Sequence, residues 1–453
     1  MPDDRYNFAG KKVLIMGLGR FGGGVDCAEF AARAGAEVIV TDSASASQLS
    51  DSIEKLKDFT DIEFHLGSHD AADFKQADII IANPAVPDDN EFLEIARRNN
   101  KFITSQINIF FELCPAQIVG ITGANGKSTT TALTAHLLRN KSIENVWLSG
   151  NIGNQPLLTI LDKIKADDLL VLELSSFQLE SLGHIAKAPN VSLLTNLTPN
   201  HLDRHGTFEN YCAAKENIFK YQELNDNCPA VSIFNAEDKI ASEWFEKFNK
   251  DTGRICISFS SDDVSKEFCD SFALPGRANL SNLAAAIAIS RHFDIDDEQI
   301  KKSLPEFKPL PHRLEFVAEI NGVSWYNDSI ATTPQSAIAA LEAFSQPKII
   351  IAGGYDKNLP FEELGQKIAA GAKAAVLLGQ TASKIASAIK LFPQAGVKVQ
   401  IVNSLSDAVQ SAARLAAPGD VVLLSPACAS YDMFENFQHR GQEFTKLVRA
   451  LNN

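Results

Sequence analysis

Short apolar runs alternate along most of the chain with longer segments in which apolar residues recur at helical spacing. Apolar runs bounded by glycine, proline or asparagine are typical of strands that are buried on both faces. The predicted strands are 12–16, 37–41, 78–82, 117–121, 169–174, 191–194, 230–235, 323–327, 348–352, 374–378, 398–401 and 421–425. Helical stretches between them, including 129–138 and 279–290, predict an α/β fold built on parallel sheets.

The length of the chain predicts more than one domain. A chain of 453 residues is too long for a single hydrophobic core and suggests about three domains. We place these domains at 1–104, 105–311 and 312–453, with a run of prolines before the second boundary. The first and third are predicted to be Rossmann-like units that flank a central phosphate-loop domain.

Composition narrows the range of functions. The net charge of −14 argues against broad nucleic-acid binding, although a local pocket for an anion remains compatible with it. Seven scattered cysteines with no Cys-x-x-Cys pair indicate reduced thiols. The polar N-terminus and the lack of an apolar run of ~20 residues predict a cytoplasmic protein that does not insert into membranes.

A glycine-bearing loop with a Lys-Ser pair follows the predicted strand 117–121. Its residues are Gly123, Ala124, Asn125, Gly126, Lys127, Ser128 and Thr129. Backbone N–H groups at the start of the following helix face an anion, Lys127 adds a charge, and Ser128 can bind magnesium. Ile121 stands where the strict motif has glycine, so we expect a variant phosphate loop that binds a nucleotide. An ordinary tight turn is the alternative.

A second glycine motif, Gly17-x-Gly19-x-x-Gly22, follows the first predicted strand, and Asp42 ends the next one. This spacing is typical of a loop that binds a pyrophosphate, with the acid directed at a ribose or base. The same pattern fits a dinucleotide-dependent dehydrogenase, or a glycine turn that only lets helix and strand pack closely. Two separate phosphate motifs suggest two different nucleotides.

Polar residues follow two further strands of the central domain. Glu173 ends the strand 169–174, where a carboxylate can hold magnesium beside a nucleotide, or can simply point into solvent. The loop 195–206 contains His201, which could bind a second divalent ion or accept a proton from an amine, or could form part of a polar loop that caps a helix. Lys215, taken alone, reads as a solvated lysine on a helix.

The last third of the chain adds weaker signals. Asn279 and Asn282 have amides that suit an adenine or a ribose, and the planar guanidinium of Arg313 suits a transferring phosphoryl group. The segment 425–437 follows a strand and turns into a helix whose first amides would suit a small carboxylate. A simple helix start, with Ser430 or Asp432 near the cap, is the alternative.

Taken in order, these motifs resemble the Mur ligases of peptidoglycan synthesis. The residues that carry the resemblance are Gly-Ile-Thr-Gly-x-Asn-Gly-Lys-Ser-Thr at 120–129, Glu-Leu-Ser-Ser-Phe-Gln-Leu at 173–179, His-Leu-Asp-Arg-His at 201–205, Leu-Pro-His-Arg-Leu-Glu at 310–315 and Asn-Asp-Ser-x-Ala-Thr at 327–332. The resemblance covers nearly the whole chain. It implies an ATP-dependent ligase, expected to be a monomer, whose small-molecule substrates are UDP-N-acetylmuramoyl-L-alanine, D-glutamate and ATP. The acid would become an acyl phosphate, which the amine attacks through a tetrahedral intermediate.

The resemblance also implies roles for individual residues. The catalytic residues would be Lys127, His201, Lys215 and Arg313, and ATP would contact 123–129 together with Asn282, Arg313 and Asp328. The UDP-sugar would contact Gly19, Arg20, Phe21, Asp42, Ser43, Asn151 and His201, and the amino acid would contact Thr332, Lys357, Ser430 and Phe437. Two Mg²⁺ sites would use Ser128, Glu173, His201 and a carbamylated Lys215, which reverses the reading of that lysine as solvated.

Several positions depart from the family pattern. Ala278 replaces a histidine, Ile330 replaces a lysine near the acceptor region, and Tyr431 replaces a leucine beside the acceptor pocket. Because the nucleotide motifs are intact, we expect activity. One alternative is a ligase of the same family that uses a different acceptor, such as L-glutamate. Another is a non-catalytic regulator that binds a nucleotide.

Overall fold

The computed structural model describes residues 4–20, 22–139, 145–152, 156–393 and 396–451, with the backbone alone at position 203. It contains three α/β domains, each built on a sheet that is wholly or mainly parallel, as the alternating pattern predicts. The chain divides into two compact units, Met1–Ser260 with Ala284–Ile300, and Ser261–Leu283 with Lys301–Asn453. The first unit holds the first two sheets and the second unit holds the third. The domain limits at 104 and 311 remain predictions.

The first sheet has the strand order β3-β2-β1-β4-β5, and its paired strands are parallel. Its elements are β1 Lys12–Met16, α1 Gly23–Arg33, β2 Glu37–Asp42, α2 Ser50–Glu54, β3 Glu63–Leu66, α3 Ala71–Gln76, β4 Ile79–Ala82, α4 Glu91–Arg98, β5 Phe102–Thr104 and α5 Gln106–Leu113. After β3 the chain crosses to the other half of the sheet, so the strand order changes direction between the neighbouring strands β1 and β4. The carboxyl ends of those two strands border the crevice in which ligands bind in such sheets.

The second sheet has the order β11-β10-β9-β6-β8-β7 and is also parallel. Its elements and the helices that follow are β6 Gln117–Thr122, α6 Lys127–Leu138, β7 Val146–Gly150, β8 Leu169–Glu173, α7 Ser176–His184, β9 Val191–Leu194, α8 Leu202–His205, α9 Phe208–Lys220, β10 Ala230–Asn235, α10 Lys239–Phe248, β11 Arg254–Phe259, α11 Lys266–Ser271, α12 Arg277–His292 and α13 Asp297–Ser303. Since β6 lies between β8 and β9, the loops after these three strands meet at one edge.

The third sheet has the order β12-β13-β17-β14-β15-β16. Its elements are β12 Glu315–Ile320, β13 Val323–Asn327, α14 Pro334–Glu342, β14 Lys348–Ala352, α15 Glu362–Gly371, β15 Ala372–Leu377, α16 Ala382–Lys390, β16 Lys398–Ile401, α17 Leu405–Leu415, β17 Val421–Leu424 and α18 Phe437–Ala450. The hairpin β12–β13 is antiparallel, and the other paired strands are parallel. The sequence pattern does not mark β12 as part of this sheet.

Continuous apolar runs became strands because helices cover both faces of each sheet. In β1, Val13 and Ile15 pack into one hydrophobic cluster, while Leu14 and Met16 pack into another on the opposite face. Successive side chains of a strand point to opposite faces, so a strand covered on both sides needs apolar residues throughout. This requirement explains why the central strands follow the predicted limits closely.

Among the described residues, no helix combines the length and apolarity required to span a bilayer. All seven cysteines lie in the described part of the chain and are free thiols.

Candidate active site

The predicted phosphate loop connects β6 to α6. Gly126 precedes α6 with a φ of 82°, a left-handed conformation that glycine adopts without strain. Lys127 is the first residue of α6, two positions before the predicted helix start, and its Nζ donates to the carbonyl of Ala124 at 2.9 Å. The amine therefore lies over its own loop, beside the backbone N–H groups of the helix N-terminus. This arrangement can receive a chain of phosphates.

The loop after β9 braces the phosphate loop. The carbonyl of Asn196 accepts from the N–H of Ala124 at 2.8 Å, and its side-chain oxygen accepts from the N–H of Asn125 at 2.9 Å. Thr195 Oγ1 donates to the carbonyl of Asn125 at 2.7 Å. A Cβ at Gly123 would lie only 1.9 Å from Thr195 Oγ1, so this position has no room for a side chain. Sequence reasoning missed this role. The position of both residues directly after an apolar strand was the available signal.

Glu173 ends β8, next to β6, as predicted. The side chain is 2% exposed. Asn151 donates to its Oε1 at 3.2 Å, while Oε2 is buried with no hydrogen-bond partner among the described residues. A buried carboxylate oxygen without a partner is costly unless a cation or donor completes it. Glu173 ends the strand next to β6, and Ser128 lies in α6, which follows β6. A carboxylate and a hydroxyl are oxygen ligands of the kind that a magnesium ion prefers.

Lys215 lies on α9 and is 2% exposed, so its reading as a solvated lysine is wrong. Its Nζ donates to Thr122 Oγ1 at 3.0 Å and lies 5.0 Å from the ring centre of Tyr211. Burial lowers the pKa of the Lys215 amine well below its ordinary value, the nearby charge of Lys127 lowers it further, and the Glu173 carboxylate opposes the shift. The site therefore favours a neutral amine, the form that can react as a nucleophile.

The histidines of the loop after β9 occupy different environments. His201 is exposed, has a φ of 52° and precedes α8, with its ring 5.2 Å from that of Phe177. His205 is buried, stacks on Phe177 and makes a hydrogen bond of 3.0 Å with Ser176 Oγ. No group of three or more His, Cys, Asp and Glu residues suited to a metal occurs within the described ranges.

The glycine loop of the first domain is closed by Asp42 at the end of β2. One carboxylate oxygen of Asp42 accepts from the N–H of Gly19 at 3.0 Å, and the other accepts from the N–H of Ala44 at 2.8 Å. Arg20 and Ser43 are exposed beside this loop, while Phe21 lies outside the described residues. Asp42 thus orders the glycine loop, and its contact with a ribose or base stays a prediction.

In the second compact unit, Asp328 follows β13 and is almost fully buried. Its carboxylate accepts from Ser425 Oγ at 2.7 Å and from the N–H of Leu314 at 3.2 Å. Burial raises the pKa of Asp328 to about 7, and the charge of Arg313 acts against this rise. Asn282, on α12, is buried and donates to Asn279 Oδ1 at 3.2 Å. The structure therefore places Arg313 beside Asp328 within this unit.

The predicted acceptor residues lie on loops of the third domain. Thr332 follows β13 and is partly buried, Lys357 is exposed after β14, and Ser430 is buried with an Oγ that has no partner among the described residues. Phe437 is the first residue of α18, whose N-cap is Asn436. The alternative with Ser430 or Asp432 near this cap is therefore wrong, because the chain makes a longer irregular turn before the helix begins.

Arg440 organises these acceptor loops. Its guanidinium is 2% exposed and donates to Ser329 Oγ at 3.0 Å, to the carbonyl of Ser329 at 2.8 Å and to the carbonyl of Cys428 at 3.1 Å. Ser329 Oγ in turn donates to the carbonyl of Phe437 at 2.8 Å. Sequence reasoning missed Arg440, and its position on a helix face gave no local signal of this role.

Replacing Asp328 with asparagine is expected to change how stability depends on pH. The unfolded carboxyl titrates near 3.8 and the folded one near 7, so the folded state binds more protons between these values. Its contribution to stability is therefore fully present below pH ~4 and is lost as the pH rises to ~7. Asparagine imitates the protonated acid, since it can donate to Ser425 and accept from Leu314. Thermal unfolding from pH 5 to 8 should show the variant gaining stability relative to the wild type as the pH rises. Parallel curves would contradict this prediction.

Comparison with known proteins places all three domains in one family. The chain matches the model of the MurD-like N-terminal domain of Mur ligases over residues 11–105, the Mur ligase middle domain over 121–290, and the Mur ligase glutamate ligase domain over 312–428. Together these matches cover most of the chain and each of its three sheets.

Full-length relatives agree. The chain is 39% identical to a UDP-N-acetylmuramoylalanine–D-glutamate ligase of Roseiflexus over 98% of this chain and 99% of the relative. It is 37% identical to the ligase of the same description from Acetivibrio thermocellus, over 100% of this chain and 99% of the relative.

Solved structures support the fold. The UDP-N-acetylmuramate–alanine ligase of Thermotoga maritima aligns with a TM-score of 0.61 at 19% identity, over 97% of this chain and 100% of that one. A MurF structure from Acinetobacter baumannii aligns with a TM-score of 0.59 at 16% identity, over 99% and 93% of the two chains. At these identities the likeness extends to the three-domain architecture alone.

Proposed function

We propose, because this chain belongs to the Mur ligase family, that it joins D-glutamate to UDP-N-acetylmuramoyl-L-alanine and converts ATP to ADP and phosphate. This reaction is a step in the synthesis of peptidoglycan precursors. One structural observation supports it above the others. The phosphate loop, Glu173 and the buried Lys215 lie together at the carboxyl ends of adjacent strands.

In this proposal the central domain activates the acid. The γ-phosphate lies against the N-terminus of α6, where Lys127 and the backbone N–H groups neutralise the charge that spreads over the transferring phosphoryl group. A carboxylate oxygen of the nucleotide-sugar attacks the phosphorus, the bond to ADP breaks, and an acyl phosphate forms. Arg313, Asn282 and Asp328 are assigned to ATP through the family resemblance.

The amine of D-glutamate then attacks the acyl carbon. The tetrahedral intermediate collapses, phosphate leaves and the nitrogen loses a proton to solvent. Thr332, Lys357, Ser430 and Phe437 are assigned to the amino acid, and the buried Ser430 hydroxyl supports this because it has no described partner. Gly19, Arg20, Phe21, Asp42, Ser43 and Asn151 are assigned to the UDP-sugar.

Magnesium fits the residues present. Glu173 and Ser128 would hold one ion, and His201 with a carbamylated Lys215 would hold a second. When bound, such ions supply positive charge to the phosphoryl oxygens. The neutral state favoured for the Lys215 amine supports carbamylation, because only an unprotonated amine adds to carbon dioxide.

Measuring ADP release with single substrates omitted tests this function. We expect release only when ATP, UDP-N-acetylmuramoyl-L-alanine and D-glutamate are all present. Tyr431 replaces the family's leucine beside the acceptor pocket, and it is exposed with its ring near that of Tyr355. Substituting L-glutamate for D-glutamate therefore tests which acceptor the enzyme uses. ADP release that is independent of either substrate, or ATP binding without any turnover, would contradict the proposal.

A further inference from the structure

Asp26 is a buried carboxylate that receives five hydrogen bonds. It lies in the first turn of α1 and is 4% exposed. Oδ1 accepts from the N–H and the hydroxyl of Thr159 at 3.0 and 2.7 Å. Oδ2 accepts from the N–H groups of Leu157 and Leu158 at 3.0 and 2.7 Å, and from Gln106 Nε2 at 2.6 Å. Charge-assisted hydrogen bonds of this length are among the strongest in proteins, so Asp26 holds these donors firmly in place.

Four of these five donors lie in residues 157–159 of the central domain. Residues 157–159 follow β7, and Ser149 near the end of β7 donates to the carbonyl of Pro156 at 2.8 Å. Asn151 is held separately, because its N–H donates to the carbonyl of Glu173 at 2.8 Å and its side chain donates to Glu173 Oε1. Asp26 thus links the helix that opens after the glycine loop to the segment that follows Asn151.

We propose that Asp26 is a positioning residue for the nucleotide-sugar substrate. The inference rests on the proposed function, in which the glycine loop 17–22 receives the uridine diphosphate end and Asn151 receives the muramoyl chain. Asp26 lies four residues after Gly22 and holds residues 157–159, and the adjoining Pro156 accepts from Ser149, two residues before Asn151. Asp26 therefore sets the spacing between the two recognition points, and a ligand that spans both binds without the cost of aligning them.

Replacing Asp26 with asparagine tests this role with little change in shape. The amide nitrogen would face the backbone N–H groups of Leu157, Leu158 or Thr159, so at least one buried donor would lose its acceptor. Isothermal titration calorimetry should then compare UDP, which needs only the first domain, with UDP-N-acetylmuramoyl-L-alanine, which needs both. We expect the affinity for UDP to change less than about 2-fold and that for the full substrate to fall by about 10-fold or more.

Asp168 offers a matched control. It is 3% exposed and accepts from the N–H of Lys165, from Asn145 Nδ2 and from Trp147 Nε1, all within the central domain. Asp168→Asn should lower stability in the same way while leaving the ratio of the two affinities unchanged. If Asp26 merely stabilised the fold, Asp26→Asn would change the ratio of the two affinities no more than Asp168→Asn does.

An unchanged ratio in folded Asp26→Asn would overturn the inference. Should that variant not fold, Thr159→Val takes its place, because it removes a single donor and preserves the shape of the side chain. We expect it to weaken the full substrate by about 3-fold relative to UDP, and an unchanged ratio would again overturn the inference. A wild-type protein that binds UDP but not the full substrate would instead contradict the proposed function.

Discussion

Replacing Lys127 with alanine is expected to lower turnover by at least ~100-fold, as is typical when a group that stabilises transition-state charge is removed. The Lys127 amine lies over the phosphate loop at the N-terminus of α6, where an incoming triphosphate would meet it. Its removal takes positive charge from the transferring phosphoryl group without disturbing the core. The steady-state rate of ADP release at saturating substrates measures the effect.

Lys239→Ala is the control for this experiment. Lys239 begins α10 of the same domain, and its side chain is 90% exposed with a loose contact to Glu243. Removing it deletes the same charge from the same domain, at a position with no proposed phosphate contact. Near-normal turnover of the Lys127 variant, or an equal loss in both variants, would contradict the role assigned to Lys127.

Replacing Lys215 with methionine is expected to abolish turnover to a similar extent, by ~100-fold or more. Methionine is apolar and close to lysine in length, so it fills the buried site and leaves the fold intact. What disappears is the amine beside Thr122, whose pKa is lowered by burial, and with it the group that would form a carbamate. In ¹³C NMR with labelled bicarbonate, the wild type should show a carbamate signal that the variant lacks.

Lys220→Met, at the exposed end of the same helix, is the matched control and should keep both turnover and the signal. A carbamate signal that persists in the Lys215 variant would show that the modification lies elsewhere. Full turnover of that variant would remove Lys215 from the mechanism altogether.

The central strands and the phosphate loop could be predicted from the sequence, because each depends on residues that are close together in the chain. A strand covered on both faces is apolar throughout, and a glycine loop between strand and helix has a fixed spacing. The strands β3, β5, β7 and β11 were not marked, because their apolar runs are short or interrupted and most of their residues are at least partly exposed. The antiparallel β12 was missed for the same reason.

The supports of the site could not be read from the sequence. Arg440 reaches Ser329 across 111 positions, and Asp26 reaches Thr159 across 133. Such pairs form only when distant parts of the chain fold against each other. The burial of Lys215 is likewise decided by the sheet and helices around α9, and only the family resemblance indicated that it is not a solvated lysine.

A crystal structure with a non-hydrolysable ATP analogue and magnesium tests the central claim most directly. The account predicts the terminal phosphate within hydrogen-bond distance of Lys127 Nζ, about 3 Å, and a metal bound by Ser128 and Glu173 at about 2.1 Å. Phosphates bound on the glycine loop 17–22, with the loop 123–128 unoccupied at saturating analogue, would contradict it.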